Sequence, residues 1–205
     1  MNKKLIIIGA GGHGKVCADI ADKMGTYQEI LFLDDGDSTE CLGYPVVGKS
    51  CDIEKHINSA VFFVAIGNAV VRRKMVEKII SLGGKIETLI HPNATVGKQV
   101  EIGEGSLLVA GAVINPSVRI GKGVIINTCA SVDHDSVIGD YCHIAVGGRV
   151  SGTVRMGEYC FFGAGAIVKN NVDICAGCTI GAGAVIVKNV TEKGTYVGVP
   201  ARKIK

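Results

Sequence analysis

Residues able to move protons are scarce in this chain, with five histidines in all: His13, His56, His91, His134 and His143. One of them has charged neighbours: His134 stands in Ser131-Val132-Asp133-His134-Asp135-Ser136, with a carboxylate on either side. An imidazole titrates near neutral pH and can take a proton from a nucleophile. An adjacent carboxylate orients the ring and raises its basicity. The same triplet also reads as a solvated corner. A second chemical signal is Gly9-Ala10-Gly11-Gly12-His13-Gly14, which matches G-x-G-x-x-G. Glycines let backbone N–H groups approach a phosphate, and a following helix N-terminus favours its charge. Asp34-Asp35 follow about twenty residues later, as in a dinucleotide fingerprint. Without a ligand, such a loop is also just a tight turn that packs.

Eight cysteines raise the question of disulfides or metal. Cys142, Cys160 and Cys178 lie eighteen residues apart, which suits a ladder of small apolar side chains. Cys175 and Cys178 form one Cys-x-x-Cys pair without a partner pair, so no metal site is expected. A reducing, cytoplasmic setting fits free thiols.

The elements that position these residues come from a repeat. From Ile90 to Ile186 every sixth residue is apolar, seventeen in a row: Ile90, Val96, Ile102 and so on through Ile174, Ile180 and Ile186. Two residues before each, from Ala94 to Ala184, stands nothing larger than valine. A period of six suits neither a helix nor a strand pair, and it predicts a solenoid of hexapeptides. Each hexad is a short strand with two inward residues, one large and one small at the corner. Three hexads close a triangular coil, so residues eighteen apart stack at ~4.8 Å. Glycines follow many of the large residues, as at Gly97, Gly121 and Gly139, and are expected to supply positive φ in the turns. His134 falls two positions after Val132, near a corner and pointing outward or along a face.

Residues 4–85 read as α/β. Strands are expected at Leu5–Ile8, Ile30–Leu33 and Val61–Ile66, with helices from Gly14 to about Met24 and from Arg72 to Leu82. Strands alternating with helices predict a parallel sheet, whose ligands bind beyond the carboxyl ends of the strands. The glycine loop, Asp34-Asp35 and Ala65-Ile66-Gly67-Asn68 would then converge on one crevice. About eighty residues make only half of an NAD domain, so a mononucleotide or nucleotide-sugar fits better. The expected domains are 1–85 and 86–205. Apolar residues make up 47% and the net charge is +3, which argues against disorder and against nucleic-acid binding by bulk charge. No apolar run approaches ~20 residues, so no membrane span is expected. Met1-Asn2-Lys3-Lys4 before Leu5–Ile8 mimics a signal peptide, but the apolar stretch is short and reads as a strand.

These motifs in this order resemble the nucleotide-sugar acetyltransferases of the PglD/NeuD type. The matching stretches are Ile8 to Gly14, Phe32 to Asp35, Ala65 to Asn68, Asn127 to Gly139 and Gly198 to Ala201. The resemblance implies a small Rossmann-like domain followed by a left-handed parallel β-helix. It implies acetyl transfer from acetyl-CoA to the amino group of a UDP-linked 4-amino-dideoxy sugar, in a homotrimer with sites between subunits and no metal. The base falls on His134 and its acidic partner on Asp135, where relatives can carry glutamate. The nucleotide contacts fall on Gly11, Gly12, His13, Asp34, Asp35 and Gly67. The acetyl-CoA contacts fall on His143, Ala164 and Ala182. O-acetylation of sialic acid or a related sugar is an alternative, and a non-catalytic nucleotide-sugar-binding trimer is another. Asn127 matches a polar position near the family's active site and also suits a corner ladder. Arg72 could reach a phosphate or belong to a solvated first turn. Arg202 and Lys203 could meet the phosphates of coenzyme A. His91, before Pro92, reads as a cap or hinge residue, and His56 as a surface residue.

Overall fold

A computed structural model describes residues 3–205; Met1 and Asn2 of the signal-peptide-like opening lie outside it. The chain forms two compact units, Met1–Pro92 and Asn93–Lys205.

The first unit is built on a parallel sheet in the order β2-β1-β5-β6, from β1 (Lys4–Ile8), β2 (Glu29–Leu33), β5 (Val61–Val64) and β6 (Lys85–Ile86). Between β2 and β5 lie two short antiparallel strands, β3 (Glu40–Cys41) and β4 (Tyr44–Pro45). Leu5 to Ile8 and Phe62 to Val64 are buried along their whole length, as central strands covered on both faces require. Helix α1 (Gly12–Met24) begins two residues earlier than expected and ends at Gly25 in the left-handed conformation. Helix α2 (Ala69–Ser81) begins three residues earlier, because the Asn68 side chain accepts from the N–H groups of Val70 and Val71. The hairpin and the 3₁₀ helix Ser50–His56 carry no hydrophobic period that would mark them in the sequence.

The second unit is a parallel β-helix of two-residue strands, and each strand pairs with the one eighteen residues on. One face stacks Leu107–Leu108, Ile125–Ile126, His143–Ile144, Phe161–Phe162 and Thr179–Ile180. A second stacks Val113–Ile114 through Val185–Ile186, and the third Glu101–Ile102 through Asp173–Ile174. The ladder is continuous: Ile125 N–H donates to Cys142 O at 3.0 Å, and Asn127 N–H to Ile144 O at 2.9 Å. Of the seventeen large positions, every one from Leu108 to Ile186 is buried, but Val96 is 41% exposed. The first coil has a neighbour on one side only, so its apolar residues are less covered.

The glycines that follow the large residues do a different job from the one expected. None of Gly97, Gly121 and Gly139 has a positive φ. A Cβ on Gly121 would stand 2.7 Å from Asp140 N, and one on Gly139 2.5 Å from Glu158 N. These glycines admit the backbone of the next coil. Positive φ falls two residues later, at Gly111, Gly123, Gly147 and Gly165, and also at Ser117, Cys129, Asp135 and Tyr141. That is the third residue of each corner turn, where a type II turn needs it.

All eight cysteines are free thiols. Cys142, Cys160 and Cys178 are buried in the small slots, and Cys178 Sγ lies 3.4 Å from Cys175 Sγ. Among the described residues, no three His, Cys, Asp or Glu side chains are grouped to hold a metal ion. No helix among them is long and apolar enough to cross a membrane.

Truncating a central rung tests the stacked core. Ile144 is fully buried, so Ile144→Ala should cost about 2–5 kcal/mol, read as a lower denaturation midpoint in urea. A loss under ~1 kcal/mol would show that the rung is not packed as described.

Candidate active site

In the first unit, the ends of β1, β2 and β5 open on one edge of the sheet. Gly9 turns at φ 104°, and its N–H donates to Leu33 O at 2.9 Å. Gly14 lies against Gly9 O and the Phe32 ring, leaving no room for a side chain. This is the close helix-to-strand approach that the third glycine of the motif serves. Gly11 caps α1, and at Gly11, Gly12 and Gly67 a Cβ would meet nothing within 4 Å. These three glycines therefore face open space at the mouth of the crevice.

Asp34 and Asp35 are committed to the fold of that edge. Asp34 Oδ2 accepts from Ala10 N–H at 2.8 Å and Oδ1 from Gly36 N–H at 2.7 Å, so it ties the glycine loop to β2. Asp35 accepts from the Ser50 N–H at 2.9 Å and from its hydroxyl at 2.8 Å. Those two bonds hold the Asp35 carboxyl below its ordinary pKa. A cavity of about 260 Å³ opens beside them, lined by Asp34, Gly36, Thr39, Gly48 and Lys49. Lys49 donates to the carbonyls of Asp35 and Gly36. No spacing in the sequence pointed to Lys49, because the hairpin that brings it there has no periodicity.

Arg72 is buried, at 1% exposure, rather than part of a solvated turn. Its Nη1 donates to Ile66 O at 2.8 Å and Gly67 O at 2.7 Å, so it fixes the third loop from beneath. His13 is held neutral: burial, then the nearby Arg72 charge, lower its pKa to about 4. At neutral pH His13 can offer a hydrogen bond but no positive charge. His91 is buried, and His56 ends the 3₁₀ helix half-buried.

In the second unit, His134 is the second residue of a corner turn that starts at Asp133. Asp135, the third, has φ 58°, and its Oδ2 lies 2.8 Å from His134 Nδ1. The turn folds the short aspartate back onto the preceding ring, so the missing methylene relative to glutamate does not cost the contact. The bond to Asp135 raises the His134 pKa most; desolvation opposes it, and the Asp133 and Asp135 charges raise it further. The ring's Nδ1 is engaged, which leaves Nε2 as the acceptor.

His143 and Asn127 meet: Asn127 Nδ2 lies 3.1 Å from His143 Nε2, and Asn127 Oδ1 accepts from Thr128 N–H at 2.8 Å. The amide thus donates to the ring nitrogen. Phe161, one coil on, packs edge-on to His143 at 5.2 Å between ring centres. Ala164 and Ala182 stack on the corner that follows this face, since Gly183 N–H donates to Ala164 O and Gly165 N–H to Val146 O. His134 sits on a different corner, stacked between Pro116 and Gly152. Within one chain the structure therefore groups His143 with Asn127 near the Ala164–Ala182 edge and sets His134–Asp135 on another edge. At the end of the chain, Arg202–Lys203 pairs antiparallel with Tyr196–Val197, and Lys203 bonds Glu192 at 2.8 Å.

The His13 environment makes a stability test. Its folded pKa, about 4, lies below its unfolded value of 6.5, so the unfolded chain binds the proton more readily. Stability is therefore full above about pH 6.5 and falls as pH drops toward 4, by up to ~3 kcal/mol from this group. His13→Asn should flatten that part of the urea-midpoint profile. An unchanged profile would remove His13 as the cause.

Residues 4–79 match the family model for the PglD N-terminal domain, and residues 153–188 the model for the bacterial transferase hexapeptide of six repeats. The acetyltransferase domain of PglB from Neisseria gonorrhoeae FA1090, solved with acetyl coenzyme A, is 41% identical. It is covered over 100% of both chains, with a TM-score of 0.97. PerB from Caulobacter crescentus, solved with CoA and GDP-perosamine, is 35% identical over 100% of this chain and 99% of that one, with a TM-score of 0.92. UDP-N-acetylbacillosamine N-acetyltransferase of Bacillus subtilis strain 168 is 35% identical over 112 residues, 53% of this chain and 52% of that protein. The matched stretch thus spans about half the length of that curated relative. With both units matched and their order kept, the chain belongs to the PglD-type family of hexapeptide-repeat nucleotide-sugar acetyltransferases.

Proposed function

We propose that this chain transfers acetyl from acetyl-CoA to the amino group of a UDP-linked 4-amino-dideoxy sugar for a bacterial surface glycan or glycoprotein. The observation that carries the reading is the His134–Asp135 pair, 2.8 Å apart and formed by a turn whose positive φ aims the carboxylate at the ring. His134 Nε2 takes a proton from the sugar amine as its nitrogen attacks the thioester carbonyl. The tetrahedral adduct collapses, the C–S bond breaks, and coenzyme A leaves as its thiol. Asp135 stabilises the imidazolium that forms between these steps. No cysteine takes part; the inward thiols are buried in the coil stack.

Labour divides between residues 1–85 and 86–205. Gly11, Gly12 and Gly67 present open backbone to the nucleotide's phosphates, and neutral His13 gives a hydrogen bond. Asp34 and Asp35 shape that edge through the bonds they make to Ala10, Gly36 and Ser50. His143, Ala164 and Ala182 take acetyl-CoA. They lie on a different edge of the solenoid from His134, so one complete site needs edges from two subunits. A closed homotrimer supplies three such pairings. The names of relatives support the sugar class: UDP-N-acetylbacillosamine for one, GDP-perosamine for another. A cytoplasmic reaction fits acetyl-CoA and nucleotide-sugar substrates.

Removing the imidazole should cut turnover by about 10²–10⁴-fold and spare binding of both substrates. Because the His134 pKa is raised and the base must be unprotonated, the acid limb of kcat/KM should lie above ~6.5. Asp135→Asn should move that limb down and cost less than His134→Ala. Turnover above half the original in His134→Ala would end the assignment.

Gly12→Val places a branched side chain in the open space where a phosphate must approach. It should weaken the UDP-amino sugar by about tenfold or more, ~1.4 kcal/mol, with acetyl-CoA affinity unchanged in calorimetry. Equal loss of both ligands would show that the two units do not divide the binding as proposed.

A further inference from the structure

His134 stands in a column of three coils. From the coil below, Asn115 Nδ2 donates to Asp133 Oδ1 at 2.6 Å. The same oxygen accepts from the His134 backbone N–H at 2.8 Å. From the coil above, Thr153 N–H donates to His134 O at 2.9 Å. The ring itself lies over Gly152: a Cβ there would stand 2.7 Å from both Cε1 and Nε2 of His134.

Glycine at 152 is not called for by the backbone. Its φ is outside the positive region, unlike that of Gly147 or Gly165. The equivalent corner positions in neighbouring coils carry Pro116, His134 and Asn170, so this place in the turn accepts side chains. What separates Gly152 from them is the imidazole directly against it. Side chains essentially never approach an atom as closely as that Cβ would, so any substituent must push the ring off its seat.

We propose that Gly152 and Asp133 are positioning residues for His134. Gly152 leaves a floor on which the Nε2 edge rests, and Asp133 pins the backbone from which the ring projects. Together they hold the rotamer in which Nδ1 meets Asp135. Asp133 is spent on the His134 N–H and Asn115 and does not reach the reacting atoms. The charged groups near the ring are Asp133 and Asp135; the coil below offers Asn115, Pro116 and Ser117, and the coil above Ser151, Gly152 and Thr153, all uncharged. The inference rests on the reading of His134 as the base for its catalytic consequence, but not for its geometry.

The test is a cycle of Gly152→Ala, His134→Ala and the double variant, followed by thermal unfolding and by NMR titration of His134. Gly152→Ala should lower Tm slightly when His134 is present, since the exposed ring can swing aside, and leave it unchanged when the ring is gone. The His134 pKa should fall toward ~6.5 as the Asp135 bond is lost. In turnover, kcat should drop about tenfold or more, with both KM values within about twofold, the signature of a displaced base. Asp133→Ala should lower kcat in the same way, and Asp133→Asn, which keeps an accepting oxygen, should restore most of it. An equal Tm loss with and without His134 would overturn the Gly152 assignment. An asparagine no better than alanine would overturn that of Asp133. Unfolding and titration need no activity, so if His134→Ala proved fully active, the base assignment would fall while the cycle still decided the seat.

Discussion

Every feature of the second unit follows from one demand: each coil must satisfy its backbone N–H and C=O groups on the coil eighteen residues away. Buried backbone groups left unpaired are costly, so the spacing has no slack. Each two-residue strand donates upward and accepts from below, as Ile125 does to Cys142 and Asn127 to Ile144. The turns between strands must then occur at the same three corners in every coil. Small residues at one inward position and glycines after the other keep neighbouring coils at pairing distance. The Gly121 and Gly139 contacts show how little room remains there.

The same demand creates the candidate chemistry. A corner turn takes positive φ at its third residue; glycine supplies it at some turns, but in the column of Gln99, Ser117, Thr153 and Asn171 none is glycine. At one corner that place is held by Asp135, with φ 58°. The strained-looking position bends the carboxylate toward the ring beside it and yields the 2.8 Å contact to His134. A local conformation imposed by stacking thus sets the protonation behaviour of the one exposed histidine flanked by acids. The coils above and below complete the arrangement with a bare glycine and an asparagine-held aspartate.

In the first unit the equivalent role belongs to bonds that join three loops. Asp34 links the glycine loop to the end of β2, and Arg72 braces the loop after β5 by its two carbonyls. The charged residues that a motif reading assigns to a ligand are first of all the framework of the crevice. Open backbone at Gly11, Gly12 and Gly67 is what they frame. Placing charge there has a price: Arg72 is buried and helps to keep His13 neutral.

The hexad period alone determined the solenoid, the eighteen-residue stacking and the corner place of His134, because a repeat imposes the same local geometry on each unit. The G-x-G-x-x-G loop between an apolar strand and a helix likewise pointed to the parallel sheet and to the edge where its loops gather. Tertiary structure decided the rest. Val96 fits the period yet is exposed, since an end coil lacks a neighbour on one side. The glycines after each large residue serve close approach rather than positive φ, a distinction that appears only when coils are stacked. Arg72 sits in an ordinary basic run but is buried, because the carbonyls it satisfies belong to a loop ahead of the helix. Gly152 looks like one of twenty-nine glycines until the ring of a residue eighteen positions earlier is found against it. Periodicity is written residue by residue, but a contact across coils exists only once the register between them is closed.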